Sequence, residues 1–189
     1  MKVNFLKAKA LLLLCTLSLG SMAIASGNLL ANPGFESGGL TGWTLSRTAE
    51  YSSVTSYNLY VHSGYYGLGT GEVDSELYLS QTIPTVVGKT YRVSLWLSTA
   101  YEAIPNSFSV SFDGVQLGAE TDVNYSGWVQ KSYSATATSV ATEVKYGFRN
   151  EGDYFGADDF AVEAVPEPAT MFGLALGGLA LIRRRRQRA

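Results

Sequence analysis

The chain has 189 residues, 46% of them hydrophobic and 16% charged, with one histidine, one cysteine and a formal net charge of −2, which is enough for one ordinary domain. Between Ser26 and Ala164, six Lys or Arg face fifteen Asp or Glu, a net of −9; nearly all other charge is basic and lies in the two ends. So acidic a middle excludes nucleic-acid binding, which draws its affinity from Lys and Arg, and suits a divalent cation.

At the start, Lys2, Lys7 and Lys9 lead into an apolar run from Ala10 to Leu19, and Ala23-Ile24-Ala25 has the small-x-small pattern of a signal-peptidase site. Residues 1–25 are expected to be a signal peptide for the Sec pathway, cut after Ala25. The alternative is an uncleaved anchor, for which the apolar core is short. Leu14 before the lone Cys15 is too large for a lipoprotein cleavage box. The remainder has no cysteine, so stability must come from its core or a metal.

Residues 26–164 read as strands, with scarcely a helix signal. Leu77–Ile83 is a candidate. In Thr90–Ser98, Tyr91, Val93, Leu95 and Leu97 alternate with Arg92, Ser94, Trp96 and Ser98. Phe108, Val110 and Phe112 alternate likewise, and Asp113-Gly114 then signals a hairpin into Val115–Leu117. Trp128–Ala135 and Glu143–Arg149 follow. Gly38-Gly39, Gly69–Gly71, Val87-Gly88 and Asn150–Gly152 punctuate the runs. The expectation is an all-β antiparallel sandwich of about eight strands.

The last candidate strand is Tyr154–Val162, YFGADDFAV. By a period of two, Asp158 shares the face of Phe160 and Val162, and Asp159 points the other way to solvent. A carboxylate on an apolar face is costly unless it is paired or bound to a metal.

The C-terminus has three parts: Val165-Pro166-Glu167-Pro168, an uncharged apolar run from Met171 to Ile182, and Arg183, Arg184, Arg185 and Arg186 with Arg188 behind. Twelve helical residues reach about 18 Å against a hydrocarbon core of roughly 30 Å, so a helix over 170–182 is a marginal span. The arginines place its end in the cytoplasm. These parts, in this order, resemble the PEP-CTERM sorting signal of Gram-negative exported proteins. The resemblance covers 165–189. It implies transient anchoring in the inner membrane, processing by an exosortase near the motif, and delivery to the cell surface or matrix.

NLLANPGFE (28–36) followed by TGW (41–43) resembles the opening of carbohydrate-binding modules with a galactose-binding-domain-like jelly roll. VHSGYYG (61–67), residues 79–98 and FRNEGDYFGADD (148–159) fit the same pattern. The resemblance implies a jelly roll whose first and last strands lie together and share a structural calcium, here through Glu36 and Asp158. Carbonyls of the Asn32–Phe35 turn and the Glu50–Tyr51 region would complete an oxygen shell. The alternative is that Asp158 accepts backbone N–H bonds from the first loop, without metal.

Two regions are candidates for a glycan. Trp96 lies with Arg92, Ser94 and Ser98 on the polar face of its strand, where a ring can meet a sugar or can pack under a loop. Tyr57, Tyr60, Tyr65 and Tyr66 surround His62, as a glycan platform or as rim packing. Catalysis lacks a constellation: His62 has no serine elbow or cysteine partner, and zinc lacks ligands. The expected function is non-catalytic binding of polysaccharide, with exopolysaccharide as the expected ligand, on an exported surface or matrix protein. A structural matrix protein without a specific glycan is the alternative, and a glycan-active enzyme is less favoured.

One consequence of the two ends is measurable. The intact mass of the surface-exposed protein should begin at Ser26 and lack Arg183–Arg186. A membrane-bound product that retains Arg186 would support a permanent anchor.

Overall fold

The computed structural model describes residues 27–166, except 100, 102 and 126. The expected signal peptide, and the sorting segment from Glu167 onward, lie outside the described residues. The described residues form ten strands: β1 (Thr44–Leu45), β2 (Ser52–Thr55), β3 (Gly67–Thr70), β4 (Leu77–Pro84), β5 (Thr90–Thr99), β6 (Asn106–Phe112), β7 (Val115–Thr121), β8 (Val129–Thr136), β9 (Ala141–Asn150) and β10 (Phe155–Ala164), with one 3-10 turn at Asn58–Tyr60. The longer strands lie where alternation placed them. The additional ones, β1, β2 and β3, have at most four residues, too few for a periodic signal.

The strands form two five-stranded antiparallel sheets, ordered β1-β4-β9-β6-β7 and β2-β3-β10-β5-β8. Between them packs one core. From β5 come Tyr91, Val93, Leu95 and Leu97; from β4 and β9, Leu77, Leu79, Ile83, Val144, Tyr146 and Phe148; from β6, Phe108, Val110 and Phe112. The Asp113-Gly114 hairpin is present, both residues at positive φ (54° and 76°), as a tight right-twisted turn requires.

The register of β10 departs from the sequence expectation. It pairs with β5 as Asp158↔Trp96 and then Ala161↔Ser94, so β10 spends one residue more than β5 across that interval. This is a β-bulge, with Asp159 in the left-handed region at φ 48°. The extra residue breaks the period-two argument. Ala157, Phe160 and Val162 enter the core, whereas Asp158 stands opposite Trp96 on the outer face of its sheet.

The bulge leaves the backbone of Phe160 without a partner on β5, and the N-terminal segment supplies one. Phe160 N–H donates to Pro33 C=O (3.1 Å), and Asn28 Nδ2 donates to Phe160 C=O (2.7 Å). Val162 N–H donates to Asn28 Oδ1 (3.0 Å), and Leu29 N–H to Val162 C=O (2.9 Å). The Asn-Pro-Gly-Phe turn thereby drives Phe35 into the core. Phe160 is ringed there by Trp43, Phe35 and Tyr146 at centroid distances of 5.2, 5.6 and 4.8 Å. The expected joining of the first and last segments is thus present, and the bulge is its physical means.

Candidate functional site

The segment between β2 and β3, residues 56–66, lies over the outer face of the β10 sheet and is fastened by three carboxylates. Asp158 is fully buried. Its Oδ2 accepts the N–H groups of His62 (2.8 Å) and Ser63 (3.1 Å), and its Oδ1 accepts that of Asp159 (2.7 Å). The donors expected from the first loop therefore come from the 61–67 stretch instead. Glu36 accepts the N–H groups of Tyr65 and Tyr66 (3.0 and 3.1 Å). Asp159, expected to be a solvated surface residue, holds His62 Nδ1 at 2.6 Å and the Ser63 hydroxyl at 2.8 Å; the bulge turns it toward this loop. Burial pushes the Asp158 carboxyl up to about 6, against the pull of its three backbone donors.

Three acidic side chains approach Gly34. A Cβ there would sit 3.5 Å from Asp158 Oδ1, 3.6 Å from Asp159 Oδ1 and 3.9 Å from Glu36 Cγ. The donor set is all oxygen, which suits a hard cation such as calcium. Among the described residues no group of three or more His, Cys, Asp or Glu is arranged to hold a metal, so carbonyl oxygens would have to complete a shell. The Glu50–Tyr51 region does not belong here: its N–H groups donate to the buried Glu72 (3.1 and 3.0 Å), which also pairs with Arg47 (3.0 Å).

Trp96 is half-buried and roofed. The His62 ring stacks on it at 4.1 Å and 14°, and His62 meets Trp128 edge-on at 5.3 Å. One face of Trp96 is therefore already occupied. Arg92, on the same face, lies toward the far end of β5, paired with Glu163. The structure does not bring Arg92 and the tyrosines into one site.

The tyrosines divide. Tyr65 and Tyr66 contact each other edge-on at 4.9 Å beside Glu36. Tyr57 and Tyr60 form the first part of a strip. Their rings lie 5.8 Å apart, and Tyr60 is 5.9 Å from Tyr154. Tyr57 and Tyr101 are 60% and 73% exposed. Asp153 accepts the Tyr101 N–H (2.6 Å). Burial first, then the charge of Asp153 and the neighbouring phenols Tyr154, Tyr57 and Tyr101, raise the Tyr60 hydroxyl above its ordinary value. Trp128 continues this surface: a Cβ on Gly156 would lie 2.9 Å from its ring, 2.6 Å from the Ser98 hydroxyl and 3.2 Å from Tyr60 Cα. Tyr101, Trp128, Asp153 and Tyr154 were not reached from the sequence, because the strip is assembled from four segments far apart in the chain. The signal present was the aromatic DYF preceding the last strand.

The outer face of the other sheet carries the half-buried ring of Tyr78. Beside it Glu76 accepts the hydroxyls of Ser107 and Ser109 (2.9 and 2.7 Å), and Lys145 Nζ lies 5.8 Å from the ring. This is a polar surface with one ring rather than a strip of them.

Two family models match the chain: a carbohydrate-binding domain (CBM_4_9) over residues 27–155 and the PEP-CTERM protein-sorting motif over residues 164–186. The chain therefore belongs to the CBM_4_9 family of carbohydrate-binding domains and carries a signal for export and cell-surface sorting. Among solved structures it is similar to TmCBM61 in complex with β-1,4-galactotriose, at 26% identity and a TM-score of 0.57, covering 74% of this chain and 100% of that one. The CBM22-1 xylan-binding domain of Paenibacillus barcinonensis Xyn10C matches at 18% identity and TM-score 0.57, covering 76% and 97%. A family 16 carbohydrate-binding module matches at 16% and 0.57, covering 71% and 99%. No curated protein matched the chain. These findings agree with the jelly-roll resemblance and with the sorting signal read from the C-terminus.

The raised Asp158 gives a pH signature in metal-free solution. Its folded value of about 6 lies above its ordinary 3.8, so the folded state holds the proton more tightly. Stability from this group is present below about pH 4 and is lost as pH rises to about 6, on the order of 2–3 kcal/mol. In urea unfolding with chelator, the wild type should lose stability relative to Asp158→Asn across that window. A pH-independent difference would contradict the desolvation argument.

Proposed function

We propose that the domain binds polysaccharide through the strip Tyr57–Tyr60–Tyr154, extended by Tyr101 and Trp128, without catalysing a reaction on it. The observation that carries this reading is the run of three tyrosine rings in two successive contacts, exposed at Tyr57 and half-buried at Tyr60 and Tyr154, beside a fixed carboxylate, Asp153. Rings meet the C–H faces of sugars, and polar neighbours take their hydroxyls. The family supports the ligand class. An exported, surface-sorted protein would meet the exopolysaccharide of the producing cell, and an exosortase would process its terminus. Tyr65, Tyr66 and Trp96 are supports of this surface in the proposal, and Arg92 lies outside it. Tyr78 with Glu76 is a second locus, favoured by the hydroxyl network of Ser107 and Ser109.

Retardation in native gels that contain soluble β-galactans, xylans or the cell's own exopolysaccharide tests both loci. Tyr57→Ala and Tyr154→Ala should each weaken binding roughly tenfold, about 1.4 kcal/mol, with the melting temperature kept. Loss in Tyr78→Ala alone would move the site to the other sheet. Absence of retardation by any of these polymers would favour a structural matrix protein.

We also propose a structural calcium held by Glu36 and Asp158. Its support is the approach of Asp158 Oδ1 and Asp159 Oδ1 to Gly34, with the Glu36 side chain starting beside them, and the cost of leaving Asp158 charged and buried. A bound cation would offset that cost and fasten the first turn to the last strand. Calcium at a hundred times its dissociation constant should add about 2.7 kcal/mol and raise the melting temperature by roughly 5–10 °C. Asp158→Asn should abolish the response. A metal-free protein whose melting ignores added calcium would leave Asp158 as an acceptor of loop N–H groups alone.

A further inference from the structure

Most of the exposed apolar side chains lie at the two ends of the sandwich, Tyr65 beside Glu36 being an exception. One end carries Tyr57, Tyr101 and Ile104. The other carries four valines: Val86 and Val87 between β4 and β5, Val115 opening β7, and Val140 ahead of β9, exposed by 61%, 58%, 63% and 72%. Connections ordinarily take Gly, Pro, Asn, Asp or Ser at positions such as 86, 87 and 140, whereas Val115, in a strand, follows ordinary strand preference.

These turns form one base. Thr85 N–H donates to Val140 C=O (3.0 Å), Gly88 N–H to Ala137 C=O (2.9 Å), and Ala137 N–H to Lys89 C=O (3.0 Å). The hydroxyls of Thr138 and Ser139 reach the Asp113 carboxylate, in the turn just before Val115. Val165 belongs to the same end, its N–H bonded to Thr90 C=O (2.9 Å), and it is 38% exposed. Lys89 lies there too, half-buried. The acidic groups nearby are engaged: Asp113 by hydroxyls, Glu163 by Arg92 and Glu143 by Lys145.

What lies beyond this end is set by the sequence. Six residues after Val165 the chain becomes an uninterrupted apolar run from Met171 to Ile182, followed by the arginine cluster. Even fully extended, six residues reach only about 20 Å. We infer that the valine end rests on the membrane that the sorting segment enters, with Val86, Val87, Val115 and Val140 at the boundary of headgroups and acyl chains and Lys89 against anionic headgroups. The inference rests on the membrane reading of that segment. Each valine contributes little. A domain already tethered by its own chain docks intramolecularly, so a weak patch suffices. The ten residues of β10 separate the two ends by about 33 Å, so the tyrosine strip then points away from the membrane.

The test uses the chain from Ser26 to Ala189, which has no cysteine of its own and lacks the N-terminal apolar run, with one new cysteine, Val87→Cys or, as control, Ile104→Cys, carrying an environment-sensitive fluorophore. The chain is reconstituted in protein-free liposomes of phosphatidylethanolamine and phosphatidylglycerol. The chain should float with the liposomes. The label at 87 should shift to the blue and be quenched by headgroup-level nitroxide lipids, while the label at 104 keeps its aqueous emission. Adding Val86→Asp and Val140→Asp should return the label at 87 to aqueous emission without loss of flotation. An aqueous label at 87 on a floating chain overturns the docking and leaves the membrane segment intact. Failure to float overturns the membrane reading and the docking with it. A blue shift found only in native inner membranes, and not in liposomes, assigns the patch to a membrane protein and overturns the lipid contact.

Discussion

One extra residue in β10 sets the arrangement of everything around it. Between Asp158 and Ala161 the strand spends one residue more than β5, and the chain turns through the left-handed region at Asp159. Aspartate tolerates that conformation better than a branched residue. The bulge then separates two neighbours that strict alternation would have put on one face: Phe160 goes to the centre of the core and Asp158 to the outer surface. It also releases the N–H and C=O of Phe160 from the ladder. A buried backbone group without a partner costs about 1–3 kcal/mol, so the first segment is held by necessity: Pro33 and Asn28 satisfy the two groups, and Phe35 is carried in with them.

The same bulge explains how the 56–66 segment is ordered. That segment has little buried apolar surface of its own, and no helix or strand longer than one turn crosses it. Its backbone donors are instead gathered by Asp158 and Glu36, and Asp159 takes the side chains of His62 and Ser63. Hydrogen bonds to charged acceptors are stronger than neutral ones, which lets three carboxylates do what a hydrophobic contact does elsewhere. His62, so fixed, covers Trp96. The only histidine of the chain is thereby explained as a packing and hydrogen-bonding residue of the loop.

Much of the fold was legible because long half-buried strands write their period into the sequence: Tyr91, Val93, Leu95 and Leu97 are buried in the register expected. The joining of NPGFE to YFGADDFAV was likewise legible from resemblance. What period two could not show was an added residue, since a bulge looks locally like any other pair of polar positions. The adjacent Asp158 and Asp159 were the available signal, because two aspartates before a core phenylalanine fit a left-handed turn better than a straight strand. The aromatic strip was half legible. Tyr57 and Tyr60 are near each other in sequence, but Tyr101, Trp128 and Tyr154 join them only through the pairing of β10 with β3 and β5 and of β5 with β8. Trp96 was placed correctly on its strand's polar face, yet a face assignment carries no knowledge of a loop that folds over it.

The strand directions also decide how such a domain can serve at a surface. β10 begins beside Tyr154 and ends where the sorting segment leaves, so one strand connects the aromatic end to the exit. The chain enters alongside this strand as well, since Asn28 and Leu29 bond to Phe160 and Val162. Pull on the C-terminus is therefore applied along a strand that is hydrogen-bonded on both sides, to β3 and β5 over its first residues and to β5 and the N-terminal segment over its last. Force along a strand in this arrangement loads many backbone hydrogen bonds together instead of peeling them one by one. A glycan bound at the opposite end, together with a pull on the C-terminus, would put the whole length of β10 under shear. The fastening of the first segment through the Phe160 bulge closes the side of β10 that β3 leaves uncovered, which is the side on which such shear would otherwise begin.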